Sequence, residues 1–455
     1  MRALCGAAVS ALVLTACQTM PTAGENTPKQ EKIKTTRSAG HTFIPAPEAV
    51  QELRGVWLTN VDSDVLLKKS SIEEAMNFLA EHNFNVVYPV VWNKAMTMYP
   101  SDVAASVTGI RIDPVYGNRD PLQELIVAAH RHGIEVIPWF EYGFATAYEN
   151  QPDPILEARP EWAGRDQDGN IAKKNGFIWS NSFHPDVQEF LTDLVMEVVE
   201  NYDIDGVQGD DRLPAHPSLG GYDDYTRELY RKEFGKEPPK DIKDDQWVQW
   251  RSDILTEYLA DLKKRVKKVD KYLAVSSAPT PNHDPNGWGK YEYLQDSRTW
   301  AQQDLVDSLH PQMYRRDYAA YESMMDQLLE NHFPGGANLD LMTPGILAKS
   351  GSFVMDAEYL LKAIEYNREH GIKGEVLFFY EALREDPRLA EVLIEGPDSP
   401  YAKPAAVPYR DGKEWRPDGI VTTVAEAKKV GEWRDVAEAK GVQVALGGGA
   451  IDTVE

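Results

Sequence analysis

Apolar and polar positions follow two rhythms that take turns along this chain. From Arg54 to about Leu393, short runs rich in Val, Ile, Tyr, Trp and Phe are each followed by longer stretches in which apolar residues recur every three or four positions. The first rhythm belongs to strands and the second to amphipathic helices. The strand candidates are "GVWLTNVD" (55–62), "NVVYPVVWN" (85–93), "EVIPWFEYGF" (135–144), "DGVQGDD" (205–211), "LAVSSAP" (273–279), "VDSLHPQMY" (306–314), "LMTPGIL" (341–347) and "GEVLFFYEAL" (374–383). Between them lie helical stretches such as "SIEEAMNFLAEHN", "PLQELIVAAHRHG" and "AEYLLKAIEYNREHG", several closing on Gly as helix ends often do. Strict alternation of strand and helix predicts a parallel sheet, and eight units over roughly 340 residues fit a (β/α)8 TIM barrel, an α/β fold. A doubly wound open sheet is the alternative. Against it, "TNVDSDVL" stands after the first strand in the place of a Gly-rich phosphate loop.

The two ends of the chain break these rhythms. Residues 1–16 carry one Arg and then an apolar stretch too short to span a bilayer, which is the layout of a signal peptide. "LTAC" at Leu14 to Cys17 resembles the lipobox of bacterial lipoproteins, which implies acylation of Cys17. Gln18 after it resembles the outer-membrane sorting pattern. Residues 17–46, rich in Thr, Pro, Lys and Gln, are expected to be a lipidated cysteine followed by a flexible tether. The barrel is expected over 47–395, and residues 396–455 as a Pro-rich extension with a small appendage of unknown role.

Composition narrows the partners. A formal net charge of −24 argues against nucleic acid and against an anionic membrane surface, so membrane contact is expected through the lipid anchor only. With 11 Trp and 21 Tyr the chain has an aromatic surplus, which suits the stacking of sugar rings. Cys5 lies in the segment expected to be removed, so Cys17 would have no partner for an internal disulfide.

In a TIM barrel the chemistry sits at the carboxyl ends of the strands. There the sequence places Asn60 and Asp62 after strand one, Trp92 and Asn93 after strand two, Trp139 and Glu141 in strand three, and Asp210, Asp211 and Arg212 after strand four. Gln312, Tyr314, Arg315 and Asp317 follow strand six, and Glu381 ends strand eight. Alternation along strand four points Gln208 and Asp210 to the barrel axis and Val207 and Gly209 to the helices. It groups Ile137, Trp139 and Glu141 on one face of strand three, and Leu377, Phe379 and Glu381 on one face of strand eight. Two carboxyl groups across a barrel mouth can cleave a glycosidic bond, one protonating the leaving oxygen while the other attacks or activates water. Asp210 is the expected nucleophile or base and Glu141 the proton donor, with Glu381 the second candidate acid; Asp211, also counted among the catalytic candidates, is expected at the rim, orienting Arg212 or a neighbouring loop. Asn60, Asp62, Trp92, Trp139, Arg212, Gln312, Tyr314 and Arg315 are the expected sugar contacts. A hard cation on Asp210, Asp211 and His216 is the weaker reading, since the histidines do not cluster at metal-ligand spacing. No Gly-x-Ser-x-Gly elbow supports a serine hydrolase.

"RGVWLTNVDSDVL" (54–66), "NFNVVYPVVWN" (83–93), "VIPWFEYGF" (136–144), "YDIDGVQGDDR" (202–212), "HPQMYR" (310–315) and "LFFYEAL" (377–383) together resemble the bacterial family ten of glycosyl-hydrolase-like proteins. The resemblance covers about residues 45–395. It implies an envelope lipoprotein with a (β/α)8 barrel acting on peptidoglycan glycan strands stripped of their peptides, at the periplasmic face of the outer membrane. Carboxylates suffice for that chemistry, so it implies neither cofactor nor metal. Strand four departs from the family pattern: Gly209 and Arg212 stand where relatives usually carry aromatics, or His at the second position. The rival expectation is a glycan-binding lipoprotein that keeps the barrel without turnover, and a third is an envelope scaffold.

Overall fold

The computed structural model describes residues 50–410. The expected signal peptide, Cys17, the tether and residues 411–455 lie outside the described residues. The chain is mixed α/β, and eight parallel strands match the eight apolar runs: β1 Leu53–Leu58, β2 Val86–Pro89, β3 Glu135–Val136, β4 Gly206–Gly209, β5 Ala274–Ser277, β6 Ser308–Leu309, β7 Gly345–Leu347 and β8 Gly374–Phe378. One sheet runs β7-β8-β1-β2-β3 and another β4-β5-β6. Parallel bridges join them at both seams, Trp139 with Gln208 between β3 and β4, and Leu309 with Met342 and Gln312 with Gly345 between β6 and β7.

A helix follows each strand for local reasons. In α1 (Lys69–Glu81) Ile72, Ala75, Met76 and Leu79 form the buried stripe of a 3.6-residue repeat. The same logic builds α2 (Pro121–His130), α3 (Pro185–Asn201), α4 (Asp245–Val269), α5 (Ser297–Gln302), α6 (Tyr318–Asn331), α7 (Ala357–Glu369) and α8 (Arg388–Ile394). Aspartates at 120, 244, 296, 317 and 356 cap five of them by accepting a backbone N–H of the first turn. Asp317 is thus a helix cap at the start of α6, which accounts for a carboxylate at that strand end. Among the described residues no helix is long and apolar enough to cross a membrane.

Large side chains pack together on one face of the strands. Trp57 lies 5.8 Å from Tyr88, 6.2 Å from Trp139, 6.4 Å from His310 and 6.0 Å from Phe378, measured between rings. Its indole N–H donates to Gln208 Oε1 at 2.7 Å, so a polar residue on β4 is satisfied inside an aromatic layer. Gln208 therefore points inward, as alternation along β4 requires. His310 bonds Tyr88 and the Thr343 carbonyl, and burial lowers its pKa to about 4, so the ring is neutral.

At the amino ends of the strands the chain closes with ion pairs. Residues 396–410 run back across this base: Ala405–Ala406 pairs in parallel with Val50–Gln51, and Tyr401 donates to the buried Glu375. Arg410 grips Glu135 at 2.7 Å, while Arg54 and Arg368 share Glu52. This part of the expected extension is structurally continuous with the amino ends of the strands. Trp57→Phe removes the indole donor from Gln208 Oε1 in a dry interior, and should cost about 1–3 kcal/mol in urea unfolding.

Candidate active site

Strand β4 ends at Gly209, and two glycines shape the turn beyond it. A Cβ on Gly209 would meet the Leu213 carbonyl oxygen at 2.0 Å, so a larger residue has no room in this backbone. Gly143 has φ +47°, and a Cβ there would meet the Arg212 carbonyl at 2.2 Å. That close approach lets Phe144 N donate to Arg212 O at 3.0 Å. Gln295 completes the pinning, its Nε2 donating to Asp210 O at 2.7 Å and Pro214 O at 3.2 Å. The turn carrying Asp210, Asp211 and Arg212 is held on three sides.

Arg212 gathers three carboxylates. Its Nη2 lies 3.0 Å from Asp210 and 3.6 Å from Glu141, and its Nη1 lies 3.0 Å from Asp211. Its Nε donates to the Glu141 carbonyl, and its guanidinium stands 4.5 Å from the Phe177 ring centroid. Burial alone would lower the pKa of Arg212, yet Asp210, Asp211 and Glu141 together raise it, so it stays charged. The expected sugar contact at Arg212 is instead the clamp of the carboxylate cluster.

The three acids differ in exposure, and that sorts their roles. The Asp210 side chain is 0 % exposed, Glu141 14 % and Asp211 22 %. Asp210 points to the axis as expected, but Trp139 Nε1 donates to it at 3.2 Å and Arg212 N at 2.8 Å, so its oxygens face protein. Burial pushes its pKa well up, opposed by Arg212 and reinforced by Asp211 and Glu141. Burial also raises Glu141, against the pull of Arg212 and of Asn93, whose amide donates to Glu141 Oε2. Tyr314 lies over Phe378 with ring centroids 5.0 Å apart, and its hydroxyl is raised well above its ordinary value by burial and then by Asp211 and Asp210.

Beside this cluster opens a cleft of about 480 Å3, lined among others by Asn175, Asp211, Trp288, Tyr293, Gln312 and Arg315. Its size suits a few sugar units. Of the expected contacts, Gln312 and Arg315 line it, and Tyr314 flanks the acids. Trp92 does not reach it: its ring packs 5.9 Å from Phe190 of α3 and its N–H donates to Gly143 O. Trp139 is part of the interior layer and supports Asp210. Asn60 contacts Met98, and Asp62 is exposed on a left-handed turn. Glu381 is the first residue of the short helix Glu381–Glu385, since Phe378 already fills the inward position at the end of β8. There it accepts from Ser63 at 2.6 Å and Arg384 at 2.8 Å and joins a separate network with Asp64. His216 turns to Ser182 at 2.7 Å, and among the described residues no cluster of three His, Cys, Asp or Glu side chains is set to hold a metal.

Sequence reasoning passed over Phe177, Asn175, Trp288 and Tyr293. The first two sit on a hairpin inserted after β3, with Lys173–Lys174 paired to Phe177–Trp179 through Asn175 and Gly176, both at positive φ. The dipeptide Asn-Gly between such runs is a hairpin signal available in the sequence. Nothing local marked Trp288, a residue that is 43 % exposed.

An acid cluster and an aromatic-rimmed cleft at strand carboxyl ends are the layout of TIM-barrel enzymes that act on sugars. The solved structures it resembles are of that class: the glycoside hydrolase domain of PgaB (BpsB) from Bordetella bronchiseptica, at TM-score 0.58, 16% identity and coverage of 75% of this chain and 98% of that one; and the catalytic domain of a β-amylase from Paenibacillus polymyxa, at TM-score 0.51, 12% identity and coverage of 74% and 94%. In sequence it is similar to the Escherichia coli protein "Glycosyl hydrolase DigH", 24% identical over 341 residues, 67% of this chain and 73% of that one. The profile of the glycosyl hydrolase-like 10 family matches residues 52–333, and the chain belongs to that family.

The raised carboxyls carry a stability cost with a definite sign. A folded-state value above Glu141's ordinary 4.5 favours its protonated form, so stability is complete below that value and falls as pH rises through the raised one. Glu141→Gln escapes this loss. It should unfold at higher urea than the parent at about pH 7, with the difference closing toward about pH 4.

Proposed function

We propose that the chain is a glycoside hydrolase of the bacterial envelope, built on a closed (β/α)8 barrel and acting on peptidoglycan glycan strands freed of their peptides. The observation that carries this reading is the set of three carboxylates sharing Arg212 beside a cleft with an exposed tryptophan. Family membership and the glycoside hydrolase neighbours support a glycan-acting hydrolase. The bridges at both seams between the two sheets support closure. The substrate class and the envelope location rest on the family resemblance and on the lipobox-like "LTAC".

Glu141, which burial shifts toward its protonated form, gives its proton to the glycosidic oxygen as the bond from that oxygen to the anomeric carbon breaks. Asp211, the acid open to the cleft, stabilises or attacks the developing oxocarbenium ion, and water supplies the hydroxyl of the new reducing end. Asp210 is moved from attacking carboxylate to support, because its oxygens are closed off by Trp139 and Arg212. Trp288 offers an apolar face to a sugar ring at the cleft rim. One observation favours the rival reading of a glycan-binding protein without turnover: Arg212 occupies all three acids at once and must keep them poised rather than neutralised.

Asp211→Asn should lower turnover of denuded glycan by about 10²–10⁴-fold. Glu141→Gln should lose the natural glycan yet keep an activated aryl glycoside, whose departure needs little protonation. Near-normal turnover in Asp211→Asn with a collapse in Asp210→Asn would return the attacking role to Asp210. Location is tested separately, since acylation adds about 0.8 kcal/mol per buried methylene. Wild-type protein should fractionate with membranes and Cys17→Ser should not, and a fully soluble wild type would refute the anchor.

A further inference from the structure

The chain's charge raises a problem that its cleft answers. At −24, with Asp211 on the wall, the cleft should repel an acidic ligand. Its nearby cations are mostly spent: Arg212 is committed to three carboxylates, and Lys174 and Lys243 both pair with Glu292. Arg315 differs. It lines the cleft, is half-buried, and among the described residues has no carboxylate within ion-pair distance; its Nη1 donates to the Tyr314 carbonyl at 2.8 Å. Its backbone is fixed as well, because Tyr359 donates to the Arg315 carbonyl at 3.1 Å. Neighbouring Arg316 is exposed and lies 5.7 Å from the Phe353 ring, and it is not among the cleft-lining residues.

A half-buried guanidinium without an acid partner is costly unless something else satisfies it. Its remaining N–H groups form a planar fork that matches a carboxylate through two parallel hydrogen bonds. Gln312, on the same wall, spends its amide on the Ala278 carbonyl and leaves its own carbonyl oxygen free for a sugar hydroxyl. We infer that Arg315 is a specificity-determining residue that binds a carboxylate carried by the saccharide in the cleft. The inference rests on the glycan-hydrolase reading for its saccharide but not for its charge. Two sources share the chemistry: a lactyl ether freed of its peptide, and a uronic acid.

Binding distinguishes these without requiring turnover. The full chain is titrated calorimetrically with denuded peptidoglycan strands, with the same strands after their carboxyls are converted to amides, and with an oligouronate. The acidic strands should bind at least tenfold more tightly than the amidated ones, and Arg315→Ala should bring the two together. Arg315→Lys should recover only part of the difference, since an ammonium cannot make the paired contact. An Arg315-dependent preference for the oligouronate over the strands keeps the carboxylate subsite and moves its source to a uronic acid. The subsite survives if binding behaves this way and nothing is cleaved, in which case the hydrolase reading alone falls. Equal wild-type affinity for acidic and amidated strands overturns the inference. So does an equal loss on both in Arg315→Ala and Arg315→Lys alike.

Discussion

One guanidinium serving three carboxylates is the constraint on which the site depends. Arg212 offsets one of the charges that Asp210, Asp211 and Glu141 would carry if all were ionised. Burial pushes the Asp210 carboxyl well up and the Glu141 carboxyl up, against the pull of Arg212. Burial shifts Glu141 toward its protonated form while its side chain stays 14 % exposed. The arrangement works only if Arg212 cannot relax. The close approaches at Gly209 and Gly143, the Gln295 amide and the Phe177 ring hold it in place.

The fold separates stability from chemistry along the strand direction. At the amino ends, two acids are matched by cations, Glu135 with Arg410 and Glu52 with Arg54 and Arg368, and Glu375 accepts from Tyr401 and Asn367. At the carboxyl ends acids outnumber the cations that reach them. Between the two, the aromatic layer around Trp57 excludes water and lends Asp210 its support through Trp139. A low dielectric beneath the acids strengthens each interaction above.

Much of the fold was legible because its signals are local. Each of the eight strands falls in an apolar run, and Gln208 faces inward as two-residue periodicity requires. Periodicity failed at Glu381, where the chain had already turned from strand to helix, so counting along β8 assigned a face that no longer existed. Trp92 was legible as aromatic and near a rim but not as packed against α3, because such contacts join residues about a hundred positions apart. Arg212 was legible as a cation at the end of strand four and as a departure from a family pattern, but not as a clamp on three acids, because that depends on Glu141, which arrives from the neighbouring strand. Trp288 and Tyr293 come from the segment after β5 and had no sequence signal linking them to Asp211.

The central claim is that this cluster hydrolyses a glycosidic bond, and water labelled with 18O tests it most directly. Denuded peptidoglycan strands are incubated with the protein in labelled water and the products analysed by mass spectrometry. New reducing ends, each carrying one 18O atom, are expected, because water supplies the hydroxyl at the anomeric carbon. Strands recovered uncut, or cut into products without the label, would contradict it.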